Sequence, residues 1–259
     1  MIQPLPVVGR PQDILTSELD ETPREECGVM GVSGIEGAAE LAFLGLYALQ
    51  HRGQESAGIC AIQDGEARVF KDVGLVGDVF SAENLIKLPG STALGHVRYS
   101  TAGGSRVLNA QPIVVRYAEG DLGVSHNGNL TNARDLKKRL VDEGAIFQTT
   151  SDSEMVVHLI ARSRHDTIDA QVADALSHLE GAFSLAITVN ETLYAVRDPR
   201  GYRPLILGKL DGGHVVASET CALDIVGAEY VRDIGPGEVL KIEGESVQNL
   251  ESLSPGLKA

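Results

Sequence analysis

The sequence predicts an α+β fold in which antiparallel sheets are packed between helices. Apolar residues make up 43% of the 259 residues and charged residues 22%, which is typical of a globular chain. Glycine is abundant, at 29 residues, which predicts many tight turns. Strand-like and helix-like segments follow one another in blocks instead of alternating strictly, which disfavours a doubly wound parallel sheet.

The elements follow from local patterns taken in chain order. Short or alternating apolar runs between polar turns predict strands, and apolar residues three or four apart predict helices. The triplet Asn127-Gly-Asn129 predicts a sharp turn after a strand, and Ser151-Asp-Ser-Glu154 has the spacing of a helix-capping box. The predicted strands span 29–33, 56–63, 67–72, 94–99, 122–126, 183–189 and 193–197, and the predicted helices span 38–50, 132–143, 155–160 and 168–179.

The charge balance excludes some classes of partner. Lys and Arg number 22 against 36 Asp and Glu, a net charge of −14, which repels phosphate backbones and anionic lipid headgroups. No apolar run reaches the length of a membrane span, and the first residues lack the basic start and apolar middle of a signal peptide. The sequence therefore predicts a soluble cytoplasmic protein that binds neither nucleic acid nor membrane.

The three cysteines lie far apart, which excludes a disulfide framework and a paired-cysteine metal site. Cys60 lies in an apolar strand and is expected in the core, and the isolated Cys221 cannot hold a metal cluster alone. Taken alone, Cys27 is more typical of a small buried side chain than of a nucleophile.

Four polar turns each allow two interpretations. Arg52-Gly53 can complement a helix dipole or line a cleft, and Arg98 can form a surface ion pair or fork onto a carboxylate. Asn127-Gly128 can form a type I′ turn or place an amide beside a backbone N–H, as an oxyanion hole requires. Asp152 stabilises the first turn of a helix whether or not it binds a ligand.

Seven motifs occur in order along the chain: Cys27-Gly-Val-Met-Gly31, His51-Arg-Gly-Gln-Glu55, Gly95-His-Val-Arg-Tyr-Ser-Thr-Ala-Gly103, His126-Asn-Gly-Asn-Leu130, Ser151-Asp-Ser-Glu154, Arg197-Asp-Pro-Arg-Gly-Tyr-Arg-Pro-Leu205 and Ser218-Glu-Thr-Cys-Ala-Leu-Asp224. Their order and spacing resemble the N-terminal glutaminase domain of the amidophosphoribosyltransferase family, from Cys27 to about Ile242. Gln54 favours this family, because hexosamine-phosphate synthases typically have Tyr there and asparagine synthetases Pro.

The resemblance implies an N-terminal-nucleophile hydrolase fold, a four-layer αββα sandwich, and a class II glutamine amidotransferase. Glutamine would be hydrolysed through a cysteinyl thioester, with the free α-amine of Cys27 as the proton acceptor. Arg98 would bind the α-carboxylate of glutamine, and Asp152 its α-ammonium group. The implied catalytic residues are Cys27, Asn127 and Gly128, and the implied substrate-binding residues are Arg98, Asp152, Arg52, Gly53 and Thr101.

The resemblance also implies a domain organisation. Residues 1–26 would be a leader or propeptide, 27–243 the glutaminase domain, and 244–259 a tail or linker to an absent phosphoribosyltransferase domain. That domain would bind phosphoribosyl pyrophosphate, in the first step of purine synthesis and in a homo-oligomer. Magnesium, and an iron–sulfur cluster in some members, are implied only for the absent domain, so no cofactor and no metal ligand are expected in this chain.

Two alternatives remain beside this interpretation. The chain can be a stand-alone class II amidotransferase for another acceptor, which Gln54 argues against, or a non-catalytic regulatory domain with the same fold.

Overall fold

The strands of the computed structural model form two antiparallel sheets, and the structure describes residues 27–99 and 107–250. The strands are β1 (Gly28–Ser33), β2 (Ser56–Gln63), β3 (Glu66–Val73), β4 (Thr92–Arg98), β5 (Ile113–Tyr117), β6 (Gly120–Leu130), β7 (Gly181–Val189), β8 (Thr192–Arg197), β9 (Ile206–Leu210), β10 (Gly213–Ala217), β11 (Glu229–Asp233), β12 (Val239–Glu243) and β13 (Ser246–Leu250).

The helices lie outside the two sheets. They are α1 (Ala38–Ala48), α2 (Val76–Val79), α3 (Ala82–Leu85), α4 (Ala133–Asp142), α5 (Ser153–Arg162), α6 (Ile168–Ser177) and α7 (Thr220–Val226), with 3-10 turns at Gln50–Arg52 and Val107–Asn109. Over the described ranges, none of these helices is long and apolar enough to cross a bilayer.

The strand order places β1 near the middle of the larger sheet. That sheet runs β11-β9-β10-β1-β4-β2-β3, and the smaller one runs β13-β12-β8-β7-β6-β5. β1 pairs with β10 through Met30 and Ala217, and with β4 through Gly28 and Val97. The residue that precedes β1 therefore lies beside the end of β4.

Three apolar cores separate the layers. One core joins α1, α2 and α7 to the larger sheet and includes Leu46 and Val97, whereas a second joins α4, α5 and α6 to the smaller sheet and includes Ile160 and Leu185. The third lies between the two sheets and includes Leu94. Burial on both faces of both sheets gives four layers, so the predicted α+β sandwich is confirmed.

The predicted turn at 127–129 is wrong. β6 continues through this segment opposite β7, with Asn127 paired to Ser184 and Gly128 to Phe183. A Cβ on Gly128, whose φ is 147°, would lie 2.0 Å from the carbonyl oxygen of Ala182. Glycine therefore allows the two strands to stay in close contact where a turn was expected.

The smaller sheet continues past the predicted domain end at 243. β13 pairs with β12, with Val247 opposite Ile242, and Val247 packs against the core between the sheets. The sheet therefore extends to Leu250, because this largely polar segment still supplies backbone partners and two packed apolar side chains, Val247 and Leu250. The leader predicted at 1–26 and the last residues, 251–259, lie outside the described residues.

Candidate active site

The layer between the sheets changes from apolar to polar at one end. Leu94 of β4 and Cys60 of β2 belong to the core between the sheets, so the alternate residues His96 and Ser56 face the same layer. The same alternation on the smaller sheet brings in Ser125, Asn127 and Ser184. His96 Nε2 donates to the carbonyl oxygen of His126 at 2.9 Å and so joins the two sheets at this end.

Cys27 lies at the edge of this polar end, immediately before β1. Its N–H donates to the carbonyl oxygen of Arg52 at 3.1 Å, and its Sγ lies 3.8 Å from the carbonyl oxygen of Tyr99. Its φ of 66° lies in the left-handed region, which costs a residue with a Cβ about 1–3 kcal/mol. Such strain persists only where the surrounding structure fixes the backbone, and it is concentrated at functional sites.

Arg52 and Gly53 follow α1 and approach Cys27 from one side. The Arg52 guanidinium is buried, donates through Nε to the carbonyl oxygen of Cys27 at 2.8 Å, and pairs with Glu219. A Cβ on Gly53 would lie 2.7 Å from the backbone nitrogen of Arg98, so glycine lets this segment lie against the end of β4. The structure thus brings these two residues together with Cys27 and Arg98.

Arg98 ends β4 opposite Ser56 of β2. Its Nη1 lies 3.1 Å from Oε1 of Glu55, and the two side chains are only 14% and 13% exposed. The ion pair is therefore largely buried. It is not the surface ion pair that the sequence allowed as an alternative. A guanidinium has five donors, so one contact with Glu55 leaves it able to bind a second carboxylate.

Asn127 is a buried polar residue whose side-chain amide makes no hydrogen bond to another described residue. Its side chain is fully buried, and neither its amide nitrogen nor its amide oxygen has a hydrogen-bond partner among the described residues. An unpaired buried polar group costs about 1–3 kcal/mol. The adjacent Gly128 continues the same strand, so an amide and a backbone N–H lie side by side on β6.

Asp152 precedes α5 and faces β6. Its Oδ2 accepts from the Leu130 N–H at 3.1 Å, and its Oδ1 lies 3.5 Å from Nδ1 of His126. Burial raises the pKa of Asp152, but the charge and hydrogen bond of His126 and the Leu130 N–H together hold that pKa below its usual value. The carboxylate is therefore ionised at neutral pH and is available to a cation.

The three motif histidines make hydrogen bonds, as predicted. His51 contacts Glu219 at 3.0 Å, His96 donates to His126, and His126 Nδ1 lies 3.2 Å from Oγ of Ser153. Within residues 27–99 and 107–250, no group of three or more His, Cys, Asp or Glu side chains has the arrangement of a metal site.

The remaining predicted residue, Thr101, lies outside the described residues. Sequence reasoning missed the partners that hold the site: Glu55 on Arg98, His126 on Asp152, and Glu219 on Arg52. Glu55 and Glu219 lie inside motifs singled out above. The motifs therefore contained these residues, but they did not indicate that the two carboxylates pair with Arg98 and Arg52.

Comparison with known proteins gives the family. The family model described as a glutamine amidotransferase domain matches residues 96–224. The chloroplastic amidophosphoribosyltransferase of Vigna aconitifolia is 52% identical over 232 residues, which is 89% of this chain and 48% of the relative. The amidophosphoribosyltransferase of Bacillus subtilis is 46% identical over 226 residues, which is 87% of this chain and 48% of the relative.

A solved structure of the glutamine phosphoribosylpyrophosphate amidotransferase from B. subtilis, complexed with ADP and GMP, superposes with a TM-score of 0.83 and 45% identity. The match covers 89% of this chain and 50% of that one. The chain thus spans about half the length of the relatives that it matches. These matches agree with the two-sheet sandwich and its polar end. The chain is a class II glutamine amidotransferase domain with the N-terminal-nucleophile hydrolase fold, and it belongs with the N-terminal half of the amidophosphoribosyltransferases.

Proposed function

We propose that this chain is the glutaminase half of an amidophosphoribosyltransferase. It hydrolyses glutamine to glutamate and ammonia, and the ammonia is donated to phosphoribosyl pyrophosphate on a phosphoribosyltransferase domain, in the first step of purine synthesis. The observation that carries the proposal is the fully buried amide of Asn127, which has no hydrogen-bond partner among the described residues and lies at the polar end that Cys27 borders. A donor placed there without a partner is suited to a charge that forms only during reaction.

The reaction begins at Cys27. Its thiolate attacks the side-chain amide carbon of glutamine, forming a C–S bond while the carbonyl electron pair moves to oxygen. The α-amine of Cys27 accepts the thiol proton and returns it to the leaving nitrogen, so that the C–N bond breaks and ammonia departs. Water then hydrolyses the thioester and releases glutamate.

The oxyanion of the tetrahedral intermediate is bound on β6. Nδ2 of Asn127 and the backbone N–H of Gly128 donate to it, and a single donor of this kind contributes about 3 kcal/mol of transition-state stabilisation. The strands β6 and β7 hold both donors in place, because the register between them is continuous from Leu122 to Leu130.

The ionised ends of glutamine select a free amino acid. Arg98 binds the α-carboxylate, and Asp152, whose pKa is held low, binds the α-ammonium group. Arg52, Gly53 and Thr101 complete the pocket wall. The Glu55 carboxylate keeps the Arg98 guanidinium oriented when glutamine is absent.

The segment 1–26 is a propeptide in this proposal, and the protein acts in the cytoplasm. While Glu26 is attached, the nitrogen of Cys27 is an amide and cannot accept the thiol proton. The Cys27 sulfur can attack the Glu26 carbonyl, so that the acyl group moves from nitrogen to sulfur, and water then hydrolyses the thioester. This half uses no metal or other cofactor, and the whole enzyme is a homo-oligomer.

Labelling with a glutamine-mimicking diazoketone tests the proposal. The processed chain should gain one adduct, and peptide mapping should place it on Cys27, in parallel with loss of ammonia release from glutamine. A chain that folds but neither labels at Cys27 nor releases ammonia is a non-catalytic domain. Active material that still carries Glu26 on Cys27 would contradict the proton-transfer step.

A further inference from the structure

One motif of the sequence has no role in the mechanism above. Ser218-Glu219 lies about 190 residues beyond the nucleophile in sequence, yet it follows β10, the strand that pairs with β1. The Val29 N–H donates to Ser218 Oγ at 3.0 Å, and the Ser218 N–H donates to the Val29 carbonyl oxygen at 3.1 Å. The turn after β10 therefore extends the contact with β1 toward Cys27.

Glu219 continues this contact through Arg52. Oε1 of Glu219 pairs with Nη1 of Arg52, whose side chain is fully buried, whereas Glu219 is 31% exposed. Arg52 in turn holds both backbone groups of the nucleophile, because its Nε donates to the Cys27 carbonyl oxygen and its own carbonyl oxygen accepts the Cys27 N–H. The three residues form one connected path from the turn to the nucleophile.

A buried guanidinium needs a counter-ion, and removing one partner of such a pair is strongly destabilising. Arg52 is also long and flexible, so its Nε stays on the Cys27 carbonyl only if the outer end of the guanidinium is fixed. Glu219 supplies a negative charge and a contact that fixes this outer end.

We propose that Glu219 is a positioning residue for the nucleophile: it fixes Arg52 against the backbone of Cys27 and offsets the charge of Arg52 beside the thiol and the α-amine. This inference rests on the proposed function for its catalytic consequence. Its electrostatic consequence concerns the Cys27 thiol alone and is measurable without glutamine.

His51 and Cys221 also lie beside the Glu219 carboxylate. His51 Nε2 lies 3.0 Å from Oε2, and the Cys221 sulfur lies 3.7 Å from the same oxygen. Burial, the charge of Glu219 and its hydrogen bond raise the pKa of Cys221, so this thiol stays protonated and adds no charge near neutral pH. Arg52 is the cation that lies between Glu219 and Cys27, so removal of Glu219 takes a negative charge away from this path.

The first measurement is the pH dependence of Cys27 alkylation by iodoacetamide, resolved by peptide mapping from Cys60 and Cys221. It uses the full 259-residue chain and its Glu219→Gln variant. The amide is isosteric and keeps an acceptor for Arg52, but it no longer offsets the guanidinium charge. The apparent pKa of Cys27 should fall by about one, because loss of a nearby negative charge favours the thiolate.

The control is Glu143→Gln, which removes the carboxylate from another Glu–Arg pair, 2.8 Å from Arg162 on the exposed surface of α4 and α5. This variant should leave the alkylation profile unchanged. The alkylation profile of His51→Gln separates the contribution of the neighbouring imidazole and should change less than that of Glu219→Gln.

The second measurement is glutamine turnover by Glu219→Ala, which removes the fixed end as well as the charge. Its kcat should fall about tenfold or more, with a smaller change in KM, because the misplaced group is the nucleophile and not a substrate ligand. Thermal unfolding of both variants separates this effect from misfolding, and Glu219→Gln keeps the test available if Glu219→Ala does not fold.

An apparent pKa of Cys27 that is unchanged or higher in Glu219→Gln would overturn the inference. A parent chain that never turns over glutamine, but whose Cys27 pKa still falls in Glu219→Gln, would leave the positioning role intact and overturn the proposed function instead.

Discussion

The two ends of the layer between the sheets are built from the same strands but differ in the side chains that face inward. At one end the inward residues are fully buried hydrocarbon, as at Leu94 of β4 and Ala186 of β7. At the other end the same faces present His96 on β4 and Ser184 on β7, with Asn127 opposite on β6. The backbone pairing is continuous across the change, so a site is made by altering side-chain identity near the strand ends without altering the fold.

The comparison also separates stability from function. The apolar end contributes about 25 cal/mol for each Å² removed from water. The polar end contains buried groups without partners among the described residues, including Ser125 Oγ and both amide atoms of Asn127, which cost free energy. Violations of this kind in an otherwise consistent fold are expected at functional sites. Substitutions at the apolar end should therefore lower stability and keep the rate, whereas substitutions at the polar end should lower the rate with a small change in stability.

The largest difference is expected between two cysteines. Cys27→Ala should reduce glutamine hydrolysis to background, because no other described residue supplies the nucleophile, and should retain the leader. Cys60→Ala should keep kcat and lose about 1 kcal/mol of stability, because burial raises the pKa of Cys60 to about 12 and the thiol is inert core. Ammonia release and urea unfolding measure the two effects. Activity in Cys27→Ala would remove Cys27 from the mechanism.

A second pair sharpens the same contrast. Asn127→Ala should lower kcat by about 10²–10³-fold and leave stability within about 1 kcal/mol of the parent, because its amide has no hydrogen-bond partner to lose among the described residues. Leu94→Ala should lower the free energy of unfolding by about 2–5 kcal/mol and keep kcat per folded molecule. Steady-state kinetics beside urea unfolding measures both, and an unchanged kcat in Asn127→Ala would contradict the oxyanion assignment.

The substrate-charge residues should affect binding more than rate. Arg98→Ala and Asp152→Ala should each raise the KM for glutamine about tenfold or more, because each leaves one ionised end of the substrate unpaired. The surface variant Arg162→Ala, which only breaks the pair with Glu143, should leave KM unchanged. A loss of kcat at constant KM would instead assign these side chains to the chemical step.

The smallest effect is a pH dependence of stability at His96. Burial lowers the pKa of His96 to about 3, whereas the imidazole of the unfolded chain titrates near 6.5. Between these values the unfolded state binds the extra proton, so stability is full above about pH 6.5 and falls by up to about 1.4 kcal/mol per pH unit as pH decreases.

His96→Gln has no titrating group at this position, and its amide can donate to the His126 carbonyl. The difference in unfolding free energy between parent and variant, measured by urea unfolding from pH 5 to 7, should therefore slope with pH. A difference that is independent of pH would show that His96 titrates alike in both states.

Local patterns predicted the elements with strong periodicity. The alternating segment from Phe183 to Val189 lies in β7, and the apolar spacing of Ile168, Val172 and Leu176 lies in α6. Short strands with partly exposed faces, such as β5 and β11, carry no clear period and were missed. The expected turn at Gly128 failed because cross-strand pairing overrode the local preference of Asn-Gly.

The sequence identified candidate site residues but not the contacts between them. Cys27, Arg98, Asn127 and Asp152 stand in ordered motifs, and their roles stay predictions that the kinetic experiments test. The pairs that hold the site are mostly long-range: Glu219 lies 167 residues from Arg52, and Glu55 lies 43 from Arg98. Such contacts are set by the order of strands in a sheet, which a single sequence does not contain.

The position of β1 has a consequence for motion. Segments that begin a domain ordinarily fray on short timescales, yet Gly28, one residue after the proposed nucleophile, is paired with Val97 in the interior of a seven-stranded sheet. Its neighbourhood can open only when β10 or β4 separates from β1. Amide hydrogens along β1 should therefore exchange with solvent as slowly as the most protected core, so the backbone beside the proposed nucleophile should be among the most rigid of the described residues.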